Sequence, residues 1–400
     1  MTALMSLPDY LLLPGLLAWL AWTFILLRPA RPWLMTEHLE PASTTDEHGL
    51  HDIDVLIPAR NEAGILPKVL SATLAQGSAI RISVVDDEST DNTAVQTAEL
   101  AASEPRARLI QGKSKPPGWT GKLWAQEQGR EQMQRPFVLL LDADIVLAPG
   151  MIAALRARLL DRNLDFVSVL ANPGLKSLLE RLLLTPYVFF FKLLYPFRLA
   201  NDPAAKLAAA AGGCLLVRRH LLDDLDVFQT IRGELIDDCA FARRIKSQGG
   251  KTWTGVSQGA ISIRDNGGFR GIRQLISRHA YTQLNYSPFL LMAVTLIMLI
   301  MFLTPLLAGL LAVLPATLVP AAFPAAVTSV GWGLGSFLVM LICYLPTLRY
   351  YHLSPLWGLL LPVSGLAYLA MTWESAWRYH GSGHKAVWRE RTYPNSHKHE

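Results

Sequence analysis

Charge is what this chain has little of. Asp, Glu, Lys and Arg make up 17% of its residues, against 51% apolar, where a soluble globule has about a quarter charged. The shortage is local. Phe289–Leu345 holds no charged residue, whereas charges concentrate between Arg28 and Arg278. Such a distribution argues against a wholly water-soluble protein and indicates a soluble domain joined to a membrane domain. Cysteine is also scarce: Cys214, Cys239 and Cys343 stand far apart, with no paired spacing and no histidine cluster nearby. That argues against a zinc site or a disulfide framework, and it fits a reducing compartment. A dense Lys/Arg stripe with interleaved aromatics is missing as well. With a formal net charge of +5, the chain suits a face resting on anionic lipid and no nucleic-acid partner.

The apolar runs are long enough to matter. Tyr10–Leu27 carries no charge across eighteen residues, near the lower limit for crossing a hydrocarbon core of about 30 Å. No Lys or Arg precedes it, and Arg28 and Arg31 follow at once. This pattern predicts an uncleaved anchor with the following domain on the cytoplasmic side. Further along, Pro288–Val319, Ala325–Pro346 and Pro355–Thr372 are each long enough to cross. The basic tail, with Arg378, Lys385, Arg389, Arg391 and Lys398, favours the cytoplasm, so the number of crossings stays open at this level. Leu175–Arg198 mixes Leu, Phe and Tyr with Lys176, Arg181, Lys192 and Arg198. It reads either as helices lying in the membrane interface or as an ordinary buried helix.

Between the apolar blocks, strands alternate with helices. Asp52–Ile57 has a strand pattern that leads into Pro58-Ala59-Arg60-Asn61-Glu62, and a helical stretch Leu66–Ala75 follows. Ile82–Val85 is a second strand and ends in Asp86-Asp87-Glu88-Ser89-Thr90-Asp91-Asn92-Thr93, where Asp91, Asn92 or Thr93 can cap the next helix. Phe137–Leu141 runs straight into Asp142-Ala143-Asp144, and Phe166–Leu170 is a further strand. Alternation of this kind predicts a mostly parallel sheet with helices on both faces, and a ligand crevice beyond the carboxyl ends of its strands.

Taken one at a time, these acidic strand ends fit turn and cap chemistry. Together they place like charges at one crevice, an arrangement that calls for a cation or for hydrogen-bond donors. Asp142 and Asp144, one residue apart, can hold a hard divalent ion and leave coordination positions for phosphate oxygens. Lys122, in Gly118-Trp119-Thr120-Gly121-Lys122, is poised before a helix starting at Leu123 and can reach a diphosphate. Asp237 and Asp238 open another helical segment, Cys239–Ile245, where the dipole favours acids in any case. On the functional reading, Asp238 is a general base facing an acceptor hydroxyl.

In this order, Pro-Ala-Arg-Asn-Glu, Val-Asp-Asp-x-Ser-x-Asp-x-Thr, Gly-Lys-x-x-Ala, Asp-Ala-Asp and Asp-Asp resemble the inverting family 2 glycosyltransferases of GT-A fold, most of all the membrane-bound, hopene-associated ones. The resemblance covers about Ile53–Arg278 by motif and the remainder by membrane layout. It implies an α/β architecture: a GT-A (Rossmann-like), mostly parallel sheet domain over 50–285, with an N-terminal transmembrane helix at 1–28 and C-terminal transmembrane helices at 286–372. Interfacial helices would occupy 175–199, and a basic cytoplasmic tail 373–400.

The activity implied is transfer of a sugar from a nucleotide-diphosphate donor, UDP-sugar favoured, to a membrane lipid hydroxyl of hopanoid or isoprenoid type. The setting implied is the inner membrane, with the catalytic domain facing the cytoplasm. Asp86 or Asp87 would contact the base, and Ala59, Arg60 and Glu62 would line the nucleoside pocket. Gly121, Lys122 and Asp142 would lie at the donor, with Asp144 and Asp142 holding Mg²⁺ or Mn²⁺. Asp238 would be the base beside Asp237, and Arg278 a phosphate contact.

Three positions depart from the family pattern. Asp237 replaces a glutamate. Leu275-Ile276-Ser277-Arg278-His279 keeps only the arginine of a Gln-x-x-Arg-Trp motif, which disfavours the alternative of a polysaccharide synthase. Trp388-Arg389-Glu390-Arg391-Thr392-Tyr393 carries Glu390 where a similar lipid-enzyme tail has glycine. A catalytically silent nucleotide-binding membrane protein is the remaining alternative, and Asp144 and Asp238 argue against it.

Overall fold

A computed structural model of the chain describes residues 7–42, 50–312, 323–382, 384–388 and 391–394. It divides into two compact units. The first contains residues 36–42, 50–174, 197–265, 384–388 and 391–394 and is built on an eight-stranded sheet. Its strands are β1 Ile53–Ala59, β2 Arg81–Asp86, β3 Ala107–Gln111, β4 Phe137–Leu141, β5 Ile145–Leu147, β6 Phe166–Asn172, β7 Cys214–Arg218 and β8 Thr252–Ser262. Across the sheet they run β3-β2-β1-β4-β7-β6-β8-β5. The pairs β3–β2, β2–β1, β1–β4 and β6–β8 are parallel, and β7 enters antiparallel between β4 and β6.

The unbroken apolar run of β4 has a simple cause. Phe137, Leu139 and Leu141 belong to the core on one face of the sheet, and Val138 and Leu140 to the core on the other. A strand covered on both sides has no polar alternation. β1 follows the same rule, with Ile53, Val55 and Ile57 in one core and Leu56 in the other. Parallel register sets Ala59 beside Asp86 and Leu56 beside Leu140. The carboxyl ends of β1, β2 and β4, where the acidic motifs begin, therefore lie at one edge of the sheet.

The second unit contains residues 7–35, 175–196 and 266–382. Its N-terminal helix, Leu7–Leu27, carries Leu13, Leu17, Leu20, Phe24 and Leu27 exposed, while Trp22 is buried and donates from Nε1 to the Met301 carbonyl at 3.0 Å. Among the described residues, three helices are long and apolar enough to cross a membrane: Pro288–Ala308, Val330–Tyr350 and Pro355–Gly381. The first contains a π-helical turn at Leu299–Leu303. Helix continues from Leu361 to Ser382, ten residues beyond the Thr372 at which the apolar pattern ends. Residues 313–319, expected in the first of these segments, lie outside the described residues.

Leu178–Leu194 is one helix, opened by a capping box between Ser177 and Glu180. Its Lys192, one of the basic residues of the stretch that reads either as interfacial or as buried, is buried and donates to the Leu34 carbonyl. The helix Gly268–Ala280, which carries Arg278, packs Ile272 and Ile276 against Leu183, Leu184 and Met371, and so belongs with the apolar helices. A two-stranded hairpin, His384–Trp388 with Arg391–Pro394, closes the described chain. Arg389 and Glu390 of the tail motif fall outside it.

Candidate active site

Two loops at the ends of β1 and β2 are laced together. Asp87 N–H donates to the Ala59 carbonyl at 2.8 Å, and Arg60 Nη1 donates to the carbonyls of Asp87 and Glu88. Asn61 takes a left-handed φ of 54°, which asparagine tolerates better than most residues. From there its Oδ1 accepts from Thr90 N–H at 2.8 Å, and its own N–H donates to Ser89 Oγ at 3.0 Å. Glu62 N–H donates to Thr93 Oγ1, and Asp91 accepts from the N–H groups of Ala63 and Thr93. Asp91 thus works as a staple. Burial opposes its charge, but these donors outweigh that and hold its pKa below the usual carboxylate range.

Asp86 differs. It is fully buried, and Oδ2 accepts from Ser89 N–H at 3.3 Å and Gln111 Nε2 at 3.2 Å, while Oδ1 is buried with no hydrogen-bond partner. A buried carboxylate oxygen left without a donor is costly. It suits an N–H brought by a ligand.

The second group of residues meets at Lys122. Thr120 caps the helix Gly121–Arg130, which places Lys122 in its first turn. The ammonium lies 2.8 Å from Asp142 Oδ1, 3.4 Å from Asp237 Oδ2 and 3.4 Å from the Gly212 carbonyl. Asp237 and Asp238 open the helix Asp237–Ser247, whose N-terminal dipole favours carboxylates. Asp238 accepts from Gly212 N–H at 3.0 Å and from Cys239 N–H at 2.7 Å. Burial, together with the neighbouring charge of Asp237, outweighs Lys122 and these donors and pushes its pKa up to about 6. Asp142 is likewise raised, by burial and by the charges of Asp144 and Asp237, against the pull of Lys122. Burial disfavours the Lys122 ammonium, but Asp142, Asp237 and Asp238 overcome that and hold its pKa above the ordinary lysine value.

Asp144, two residues on, faces β8. Its Oδ2 lies 3.4 Å from Ser262 Oγ and 3.9 Å from Arg264 Nε, and its carbonyl accepts from Ile263 N–H at 2.9 Å. No group of three or more His, Cys, Asp or Glu side chains positioned to hold a metal occurs among the described residues. What the site offers is a pair of hard carboxylate donors, Asp142 and Asp144, with a positive charge already lodged against the first. That donor set fits a divalent ion whose remaining ligands come from a diphosphate.

Of the residues singled out in the sequence, the structure brings Lys122, Asp142, Asp237 and Asp238 into one group, with Asp144 in electrostatic reach of Asp142. Ala59, Arg60, Glu62, Asp86 and Asp87 form the first group. Gly121 serves as the first residue of the lysine's helix. Arg278 belongs to the other unit, where its Nε lies 3.0 Å from His279 Nε2.

The sequence reading missed Gly212 and Gly213. A Cβ on Gly212 would come within 3.0 Å of Lys122 Nζ and 3.3 Å of Asp238 Cβ, so a side chain here would press on the mobile end of Lys122. The visible signal was a Gly-Gly pair directly before the apolar run Cys214–Val217. Ser262 and Arg264, at the end of β8, were missed too.

The sheet is of the curled, mostly parallel GT-A type, followed by three apolar helices that could span a membrane. Residues 51–260, over half the chain, match the model of the glycosyltransferase-like family 2, and the chain belongs to that family. A mannosyltransferase from Pyrobaculum calidifontis, solved with GDP-Man and Mn²⁺, superposes with a TM-score of 0.51 at 17% identity, covering 94% of this chain and 99% of that one. That likeness concerns the fold. A glucosyl-3-phosphoglycerate synthase from Mycobacterium tuberculosis, solved with Mn²⁺ and UDP-Glc, is looser, with a TM-score of 0.38 at 15% identity over 63% of this chain and 88% of that one. In sequence, a 4,4'-diaponeurosporenoate glycosyltransferase from Staphylococcus haemolyticus is 33% identical over 95 residues. The match spans 24% of either protein.

Proposed function

We propose that this protein moves a sugar, with inversion, from a nucleotide-diphosphate donor to the hydroxyl of a membrane lipid. The observation that carries the reading is the meeting of Lys122, Asp142, Asp237 and Asp238 at the carboxyl edge of the sheet, with Asp238 raised to a pKa of about 6. A group titrating there is charged at neutral pH and still basic enough to take a proton.

Asp238 accepts the acceptor's O–H proton as that oxygen forms its bond to the anomeric carbon. The bond from that carbon to the diphosphate breaks on the opposite face, and its electron pair leaves with the nucleoside diphosphate. Asp142 and Asp144 would hold Mg²⁺ or Mn²⁺, which when bound supplies positive charge to the departing diphosphate. Lys122 adds its ammonium to the same leaving group. Asp86 Oδ1, lacking a donor of its own, accepts from a base N–H, and Arg60 ties the two nucleoside loops together. Uracil and guanine both present such an N–H; a UDP-sugar is the favoured donor.

A lipid acceptor is supported by the apolar helices long enough to cross a membrane. The relative's name, a diaponeurosporenoate glycosyltransferase, points the same way. Within this reading the acceptor is of hopanoid or isoprenoid type. The N-terminal helix is a membrane anchor, and Arg28 and Arg31 keep the catalytic domain on the cytoplasmic side. The test is incubation of membranes holding the protein with a panel of labelled nucleotide sugars, followed by organic extraction. Label in the organic phase is the expected result. Label confined to insoluble polymer would replace this reading with polysaccharide synthesis.

A further inference from the structure

Both carboxylates proposed to receive a divalent ion already face a cation of the chain. Lys122 Nζ lies 2.8 Å from Asp142, and Arg264 Nε lies 3.9 Å from Asp144. No third His, Cys, Asp or Glu completes a metal-holding group among the described residues. A metal arriving alone would have two protein ligands and would have to share Asp142 with an ammonium at hydrogen-bonding distance. We propose that Lys122 is a resident cation that keeps a divalent metal off Asp142 until a nucleoside diphosphate is present, so that metal and donor enter together.

The proposal rests on the reading of the site given above and adds an order to it. A diphosphate changes the balance in two ways. It brings oxygen ligands that fill the metal's empty positions, and it offers the displaced ammonium a new anionic partner. Asp237, 3.4 Å from Nζ, gives the lysine a second place to rest while it moves. The Gly212 carbonyl, 3.4 Å from Nζ, is a further acceptor for the ammonium.

The experiment is Mn²⁺ binding to the purified full-length protein, read by electron paramagnetic resonance of the free ion, with Mn²⁺ alone and with Mn²⁺ plus UDP or GDP. Wild type is expected to bind Mn²⁺ weakly alone and more tightly with one of the nucleotides. Lys122→Met is expected to bind Mn²⁺ alone about 10- to 1,000-fold more tightly than wild type, the range over which one nearby opposite charge biases a carboxylate. Asp142→Asn in the Lys122→Met background is expected to erase that gain.

Wild type that already binds Mn²⁺ tightly without nucleotide would overturn the proposal, and so would a Lys122→Met protein without any gain. The wild-type comparison needs no variant, so the proposal stays refutable even where Lys122→Met fails to fold. A wild type that binds Mn²⁺ weakly both alone and with either nucleotide, beside a Lys122→Met that binds it more tightly alone, would sink the donor reading. The lysine's exclusion of metal would then stand by itself.

Discussion

The two ends of β4 both carry acidic side chains but pair them differently. Before its first residue, Asp54 accepts from the N–H groups of Gln134 and Arg135 at 2.8 and 3.0 Å and faces Arg135 Nε at 3.5 Å, while Asp52 pairs with Arg156 at 2.9 Å. Each acid there has its own arginine. After its last residue, Lys122 alone is set among Asp142, Asp237 and Asp238. Acids satisfied by the chain's own donors belong to the fold. Acids in surplus of such donors mark where a ligand's charge is expected. The same contrast separates Asp91, whose oxygens are filled by Ala63 and Thr93, from Asp86, whose Oδ1 has no partner.

If this contrast is sound, substitutions at the two ends should fail in different ways. The largest effect on turnover is expected from Asp238→Asn: kcat falls about 10²- to 10⁴-fold, the usual worth of a general base, while nucleotide binding by calorimetry stays within about twofold of wild type. In the wild-type protein the same carboxylate should set the pH profile. Because the working form is the deprotonated one, kcat/KM rises with pH up to about 6 and then levels. A profile flat from pH 5 to 8 would remove Asp238 from the mechanism.

At the other end, Asp54→Ala should lower stability by about 2 kcal/mol, because the half-buried N–H groups of Gln134 and Arg135 lose their acceptor and Arg135 loses its carboxylate. Thermal unfolding would report this, and the turnover of the folded protein should hold. A loss of kcat without a loss of stability would erase the distinction between the two ends. The smallest effect is expected from Gly212→Ala. Its new methyl group presses on the mobile end of Lys122, so activity should fall roughly three- to tenfold, with stability changed by less than about 1 kcal/mol.

Much of the site could be read from the residues because strand ends are local events. An apolar run that stops at Asp142, or a β-branched run that stops at Asp86, shows where a buried strand reaches the sheet edge. The lysine's helix was equally local, since Thr120 lies just where a capping residue belongs. What closes the cluster is not local. β7 lies beside β4 in the sheet but far along the chain, so nothing near Asp142 announces Gly212 and Gly213. Arg264 reaches Asp144 through the pairing of β5 with β8 for the same reason. The residues around Lys192 fit a buried helix and an interfacial one alike, so its setting was not legible in the sequence. Only packing shows that its stem and ammonium are enclosed, with the Leu34 carbonyl as acceptor. Arg278, given a donor contact by family resemblance, lies on a helix whose apolar face binds it to the membrane-type unit.

The most direct test measures binding of UDP, GDP, ADP and CDP to the purified full-length protein, with and without Mn²⁺, in wild type and in Asp144→Asn. At least one nucleotide is expected to bind wild type only when Mn²⁺ is present, and to lose about 100-fold in affinity in the variant, as for loss of a strongly interacting charge pair. Binding of equal strength in both proteins, or in the absence of metal, would contradict a metal-bridged diphosphate at the carboxyl end of β4.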